Sequence, residues 1–253
     1  MKFVLPLLAV AMLTHCANGQ SLKVETAFTN SLDMPFIRVA GINALVCRYE
    51  PRVKDYQPCA TETNVEWRKP EFPQTPNHPA VNVSWQEAKA FCEWLGKKEG
   101  RTYRLLTDAE WSTLAGLKEN PAVAPNEQPV STGVHHWGTA PLSKTVGNFC
   151  DEAFGRKYGK NYDAKWLEMD DGHSDTAPVG SYPADANGLF DFAGNVWEWV
   201  EGWYDPPKNT LRIVRGGAFR TGSEKRLMAS FRGPDPYNVH LDSVGFRIVC
   251  EKE

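Results

Sequence analysis

An α+β fold rich in ordered loops is predicted by three features of the sequence. Nine Trp, 20 Gly and 18 Pro in 253 residues indicate a chain of tight turns around aromatic packing. Only two segments carry a sustained helical period, and residues 117–211 carry none. Several short strand-like runs complete the pattern, so a helical bundle or coiled coil is excluded. The balance of 28 Lys and Arg against 31 Asp and Glu, with no basic block, excludes nucleic acid and a polybasic membrane patch as partners.

The chain starts with Met1-Lys2 and an apolar run over residues 3–13, which reads as a secretory signal too short to span a bilayer. Ala17-Asn18-Gly19 has the small residues a signal peptidase reads, giving a predicted signal peptide of residues 1–19. Leu13-Thr14-His15-Cys16 offers a competing lipobox-like signal, with an unusual His before the Cys that would carry a lipid anchor. Soluble export to the periplasm is the expectation, and a lipoprotein the alternative. With Cys16 removed or lipidated, Cys47, Cys59, Cys92, Cys150 and Cys250 remain, without zinc-type spacing.

Strands are predicted over residues 36–39, 44–49, 103–105, 213–215 and 245–250. The first helix opens with the capping box Ser84-Trp85-Gln86-Glu87, buries Ala88, Phe91, Cys92 and Leu95, and stops at Gly100. A second box, Thr107-Asp108-Ala109-Glu110, opens a helix that buries Trp111, Leu114 and Ala115 and ends near Gly116. In the last strand Phe246, Ile248 and Cys250 share one face. Cys92 and Cys250 therefore both face inward, where they form either a disulfide closing most of the domain or two packed thiols. A structureless stretch as long as 117–211 needs something other than a strand ladder to hold it. One domain is read from about residue 30 to residue 253.

Several blocks together resemble one family. Pro79-Ala80-Val81-Asn82-Val83-Ser84-Trp85, Phe91-Cys92-Glu93-Trp94 and Tyr103-Arg104-Leu105-Leu106-Thr107-Asp108-Ala109-Glu110-Trp111 look like the central helix pair of the formylglycine-generating enzyme (sulfatase-modifying factor) family. Thr176-Ala177-Pro178-Val179-Gly180-Ser181, Asn187-Gly188-Leu189-Phe190-Asp191, Gly194-Asn195-Val196-Trp197-Glu198-Trp199, Arg215-Gly216-Gly217 and Gly245-Phe246-Arg247 continue the resemblance in order. Tyr49-Glu50-Pro51-Arg52-Val53 resembles an early family segment. The resemblance implies a loop-rich, C-type-lectin-like α+β fold, and its helix-to-last-strand disulfide is consistent with Cys92–Cys250.

The resemblance also implies two calcium ions in the long loop region. The first would be held by the Asn148 side chain, the Phe149 carbonyl, the Asp171 carboxylate and the His173 carbonyl. The second would be held by Asp191 and Glu198 with the Gly194 and Val196 carbonyls. Such oxygen donors suit a hard cation in flexible geometry. The alternative is that Asp171 and Asp191 are turn residues beside Gly172 and Asn187-Gly188.

Catalytic family members carry a copper-binding Cys pair shortly after the Arg-Gly-Gly turn. The matching stretch here, residues 218–227, contains no Cys. Since Cu(I) needs soft thiolates, no copper and no cysteine-to-formylglycine oxidation are expected. A related iron-dependent branch uses an additional His-rich domain that is absent here, and the loop pair His135-His136 reads as solvated.

The groove that family members use for an extended peptide maps onto Trp197, Arg220, Thr221, Glu224, Arg226 and Arg232, a lining suited to acidic or carboxylate-bearing ligands. Arg215 and Arg232 could equally satisfy buried carbonyls or acids. The expected function is an exported, calcium-stabilised domain that binds a peptide, protein or assembly partner. The alternative is a periplasmic oxidative tailoring enzyme acting on a peptide-like substrate, of the siderophore-maturation type.

Overall fold

Alternation along short strands organises the computed structural model, which describes residues 25–130, 133–139, 146–159 and 168–252. The first half holds β1 (Thr26–Thr29), β2 (Pro35–Arg38), β3 (Ala44–Cys47), α1 (Val53–Glu62), α2 (Trp85–Glu99), β4 (Tyr103–Leu105) and α3 (Asp108–Leu114). The second holds α4 (Glu152–Tyr158), β5 (Trp197–Trp203), β6 (Leu211–Arg215), α5 (Glu224–Leu227), β7 (Gly233–Pro236), β8 (Val244–Phe246) and β9 (Ile248–Glu251). One sheet has the order β1-β2-β3-β9-β4 and the other β7-β6-β5-β8, with β5 and β8 parallel and the remaining pairs antiparallel.

Both faces of the first sheet are covered. Phe36, Leu45, Cys47, Ile248 and Cys250 enter one core with Tyr56 of α1 and Phe91, Cys92 and Leu95 of α2. Their neighbours Ile37, Ala44, Val46 and Val249 enter a second core with Trp111 and Leu114 of α3 and Leu189 and Phe192 of the long loop. Successive side chains on a strand point to opposite faces, so double coverage gives runs with no polar alternation.

The two helices follow their sequence signals. At the start of α2 the Ser84 hydroxyl accepts from the Glu87 amide at 3.3 Å, while Glu87 accepts from the Ser84 amide at 2.8 Å. Gly100 stops it in the left-handed region at φ 67°. Thr107 and Glu110 repeat the exchange at 3.1 and 2.9 Å, and α3 is capped by Ala115 just before Gly116. Ala88, Phe91, Cys92 and Leu95 are the buried residues of α2, as the periodicity predicts.

Several elements differ from the sequence expectation. α1 forms although Pro58 lies inside it, because Arg52 and Asp55 close a buried ion-paired cap at 2.7 Å. The terminal strand expected over 245–250 is two strands, since Arg247 turns the chain from one sheet into the other. β5 and β7 are additional, and β7 carries Pro234 and Pro236 at the sheet edge.

The Cys92–Cys250 disulfide is corrected. All five described cysteines are free and buried, and Cys250 Sγ instead donates to the Glu251 carbonyl at 3.6 Å. Cys92 packs in the same core as a thiol. The signal peptide over 1–19 and Cys16 lie outside the described residues. No helix among the described residues is long and apolar enough to cross a membrane.

Replacing Ser84 by Ala removes the α2 cap acceptor and is expected to cost about 1 kcal/mol in urea unfolding. An unchanged midpoint would show that the cap contributes nothing.

Candidate functional site

Two glycines let the loops of the candidate calcium region lie against each other. Gly194 sits at φ 83°, where a Cβ would meet the Asn148 carbonyl oxygen at 2.4 Å, and a Cβ on Gly147 would meet the Ala193 carbonyl oxygen at 2.1 Å. This close approach lets the Asn195 amide donate to Asn148 O at 2.8 Å and Gly194 N to Gly216 O at 2.9 Å. Asn195 Oδ1 accepts from Ala177 N at 2.8 Å and from Asn148 Nδ2 at 3.3 Å. Residues 148, 177, 195 and 216 are thus tied into one frame.

The first predicted set gathers within it. Asn148 is fully buried and its Oδ1 has no hydrogen-bond partner. Asp171 accepts from Phe149 N at 2.8 Å and from His173 N at 2.9 Å, so the four expected residues adjoin. Asp151, which sequence reasoning did not single out, caps α4 through Ala153 N at 2.8 Å and also accepts from Asp171 N. Burial, opposed by its two amide donors and reinforced by Asp151, pushes the Asp171 carboxyl up to about 7.

The second set is more acidic than expected. Asp191 and Glu198 are buried, and so is Glu50, both of whose oxygens lack a partner. Asp191 uses Oδ2 to accept from Gly180 N at 2.6 Å, leaving Oδ1 unpartnered. Arg247 donates to Glu198 at 2.7 and 3.1 Å. Three mutually interacting carboxylates therefore face one guanidinium. Burial holds all three above the usual carboxylate range; Arg247 opposes this for each.

Among the described residues no group of three or more His, Cys, Asp or Glu side chains is arranged as a metal cluster, so a cation here would depend on amide and carbonyl oxygens besides the acids. The orphaned oxygens of Asn148, Asp191 and Glu50 fit a hard ion of that kind. All five described cysteines are free and buried, and none lies in the 218–227 segment. Burial pushes the Cys47 thiol up to about 12 and the Cys59 and Cys150 thiols up to about 11, and the Cys92 and Cys250 thiols up as well.

The groove residues divide. Arg232 is a correction: its guanidinium is buried, bonded to Asp108 at 2.9 Å, to the Ser230 carbonyl at 3.1 Å and to Glu119. Arg215 is likewise buried, on Asp108 and on the Ala229 carbonyl at 2.9 Å. Thr221 is buried, its hydroxyl accepting from Ala218 N at 3.0 Å to close a turn. Trp197 packs in the main core beside Phe231 at 5.8 Å between ring centroids. Arg220 is half-buried and bidentate to Asp242 at 3.0 and 2.6 Å. Only Glu224 and Arg226, both on α5, are exposed.

The solvated reading of the His pair also changes. His136 is 6% exposed, and neither ring nitrogen makes a hydrogen bond of full geometry, although the Arg226 backbone lies beside the ring and favours its charged form. Burial and the Arg215 charge outweigh that contact and lower its pKa to about 3. His135 stacks on Trp137 at 4.6 Å and 5°.

The chain as a whole is similar to known proteins. Residues 28–252 match the family described as sulfatase-modifying factor enzyme 1-like domain, and the chain belongs to that family. It is 32% identical over 207 residues to the formylglycine-generating enzyme of Streptomyces coelicolor, covering 72% of this chain and 57% of the relative. It is 29% identical over 194 residues to the inactive C-alpha-formylglycine-generating enzyme 2 of Mus musculus, covering 72% and 53%. The chain thus spans only about half the length of the curated relatives it matches. The structure of PvdO from Pseudomonas aeruginosa shares the fold, with a TM-score of 0.61, 24% identity, and coverage of 88% of this chain and 83% of that one.

Carboxylates whose folded-state pKa is raised bind more protons in the folded than in the unfolded chain, so stability is greatest below the unfolded pKa and falls as pH rises toward the folded value. For the chelator-treated protein, the melting temperature is therefore expected to fall between about pH 4 and pH 7, the span set by Asp171, with Glu50, Asp191 and Glu198 adding in the same direction. A melting temperature that rises over that window contradicts the burial-raised pKa assigned to these groups.

Proposed function

We propose that this is a calcium-stabilised, copper-independent domain that binds a peptide or protein segment at the groove bordering α5, within an exported protein. The observation that carries the reading is the segment after Arg215-Gly216-Gly217, where the Thr221 hydroxyl closes a turn on Ala218 N and no thiol is present. A hydroxyl cannot hold Cu(I) as a thiolate pair does. The name of the mouse relative, an inactive member, is in keeping with a family scaffold that persists without the oxidase.

Calcium would supply positive charge to oxygens that nothing else satisfies. Asn148, Asp171 and the Phe149 and His173 carbonyls would form one site. Asp191, Glu198 and the Gly194 and Val196 carbonyls would form the other, with Glu50 as an added ligand. The groove rim then has Glu224 and Arg226 free to pair with ligand charges, and the Arg220–Asp242 pair beside them.

A second reading, oxidative tailoring of a peptide-like substrate, is favoured by the exposed Glu224 carboxylate where a reacting group could be reached. Oxygen uptake with peptide-like substrates, lost in Glu224→Gln, would support it over simple binding.

Metal analysis of protein purified without chelator checks the first reading. Two calcium ions per chain are expected with no stoichiometric copper or iron, and Asp171→Asn is expected to lower the calcium content by one. Stoichiometric copper, or calcium absent from the folded protein, would overturn it.

A further inference from the structure

Between the C-terminal end of α3 and the loop of residues 183–193 lies a cavity of about 580 Å³, bordered by residues of the second core. That volume is within the range of small-molecule sites. Leu114, Phe192 and Trp137 give it apolar walls, and His136, Asp185 and Asp191 give it polar ones. Among the described residues no Lys or Arg lines it.

Two of these groups have hydrogen-bonding capacity that the chain does not use. His136 is more than nine-tenths buried; one ring nitrogen lies beside the Arg226 backbone and the other has no partner, so the neutral imidazole keeps a free lone pair. Asp185 Oδ1 accepts from the Asn187 and Leu189 amides at 2.9 and 2.8 Å, whereas Oδ2 accepts only from Asn187 Nδ2 at 3.0 Å. Asp191 also lines this wall but belongs to the candidate calcium site, so its charge does not count toward a ligand here. An anion entering here would meet the Asp185 carboxylate, with no Lys or Arg among the described lining residues to pair with it, while a buried imidazole nitrogen left without a partner is costly.

We infer that this cavity binds a small organic ammonium ion with an aromatic or apolar body, its N–H groups meeting the His136 lone pair and the Asp185 carboxylate and its body lying against Trp137, Leu114 and Phe192. Charge selects the ammonium over a carboxylate of the same shape, and Trp137 favours a flat or cationic partner. Ammonium binding here rests on His136 and Asp185 and does not require the groove reading, although the cavity shares Asp191 with the proposed calcium site.

Calorimetry of the whole protein in calcium buffer, with 2-phenylethylammonium as probe and 3-phenylpropionate as its anionic counterpart, tests the inference. One site per chain is expected, with the ammonium bound at least about tenfold more tightly than the anion. His136→Phe removes the acceptor at similar bulk and is expected to weaken binding about fivefold or more. Ala184→Trp fills the cavity from its half-exposed wall, and is expected to weaken binding as much even if the core variant fails to fold. No saturable binding up to about 10 mM, equal affinity for the two probes, or affinity unchanged in the folded variants would overturn the inference.

Discussion

The buried pair of Arg247 and Glu198 holds the rest of the molecule in register. Arg247 stands between β8 and β9, where the chain leaves one sheet for the other, and its guanidinium bonds Glu198 of β5, the Cys47 carbonyl of β3 and the Phe190 carbonyl of the long loop. Two sheets and the loop carrying Asp191 thus meet at one fully buried cation. Removing two charges from water costs several kcal/mol per ion, so such a pair is tolerated only with good geometry and its remaining donors satisfied, as here. Glu50 and Asp191 lie in the same electrostatic neighbourhood without an equivalent partner. The fold therefore concentrates negative charge beside its own junction.

Much of this architecture was legible in the residues. The boxes at Ser84 and Thr107 work by local hydrogen bonds within one turn, so α2 and α3 could be placed to within a residue or two. α1 was not legible, because Pro58 argues against a helix and its cap is an Arg–Asp ion pair instead of a hydroxyl. β5 was hidden by its Trp-rich sequence, whose pairing with β6 shifts register between Val200 and Trp203. The division of the last strand at Arg247 depends on tertiary partners, which no periodicity contains.

The candidate site was legible through the family resemblance and only partly through chemistry. Asn148, Phe149, Asp171 and His173 are brought together by hydrogen bonds between neighbours. Glu50 was quoted only as part of a family segment, because it reaches Asp191 and Glu198 through the fold and not through spacing. His136 was misread for the same reason, since adjacency to another His says nothing about the Arg215 and cavity environment it enters. The groove reading overestimated arginine: Arg232 and Arg215 share Asp108 as core partners, a role their charge pattern does not distinguish from ligand binding. One scaffold hosting several chemistries is the ordinary case, which is why the side chains at a site must be weighed apart from the fold.

β7 has a consequence for how molecules of this kind behave in company. It forms the outer margin of the four-stranded sheet, and two of its four residues, Pro234 and Pro236, have no amide hydrogen to offer. Proline on an edge strand interrupts the pairing through which a neighbouring chain would extend the sheet. The same short strand that completes the pairing of β6 thereby makes that margin a poor template for aggregation.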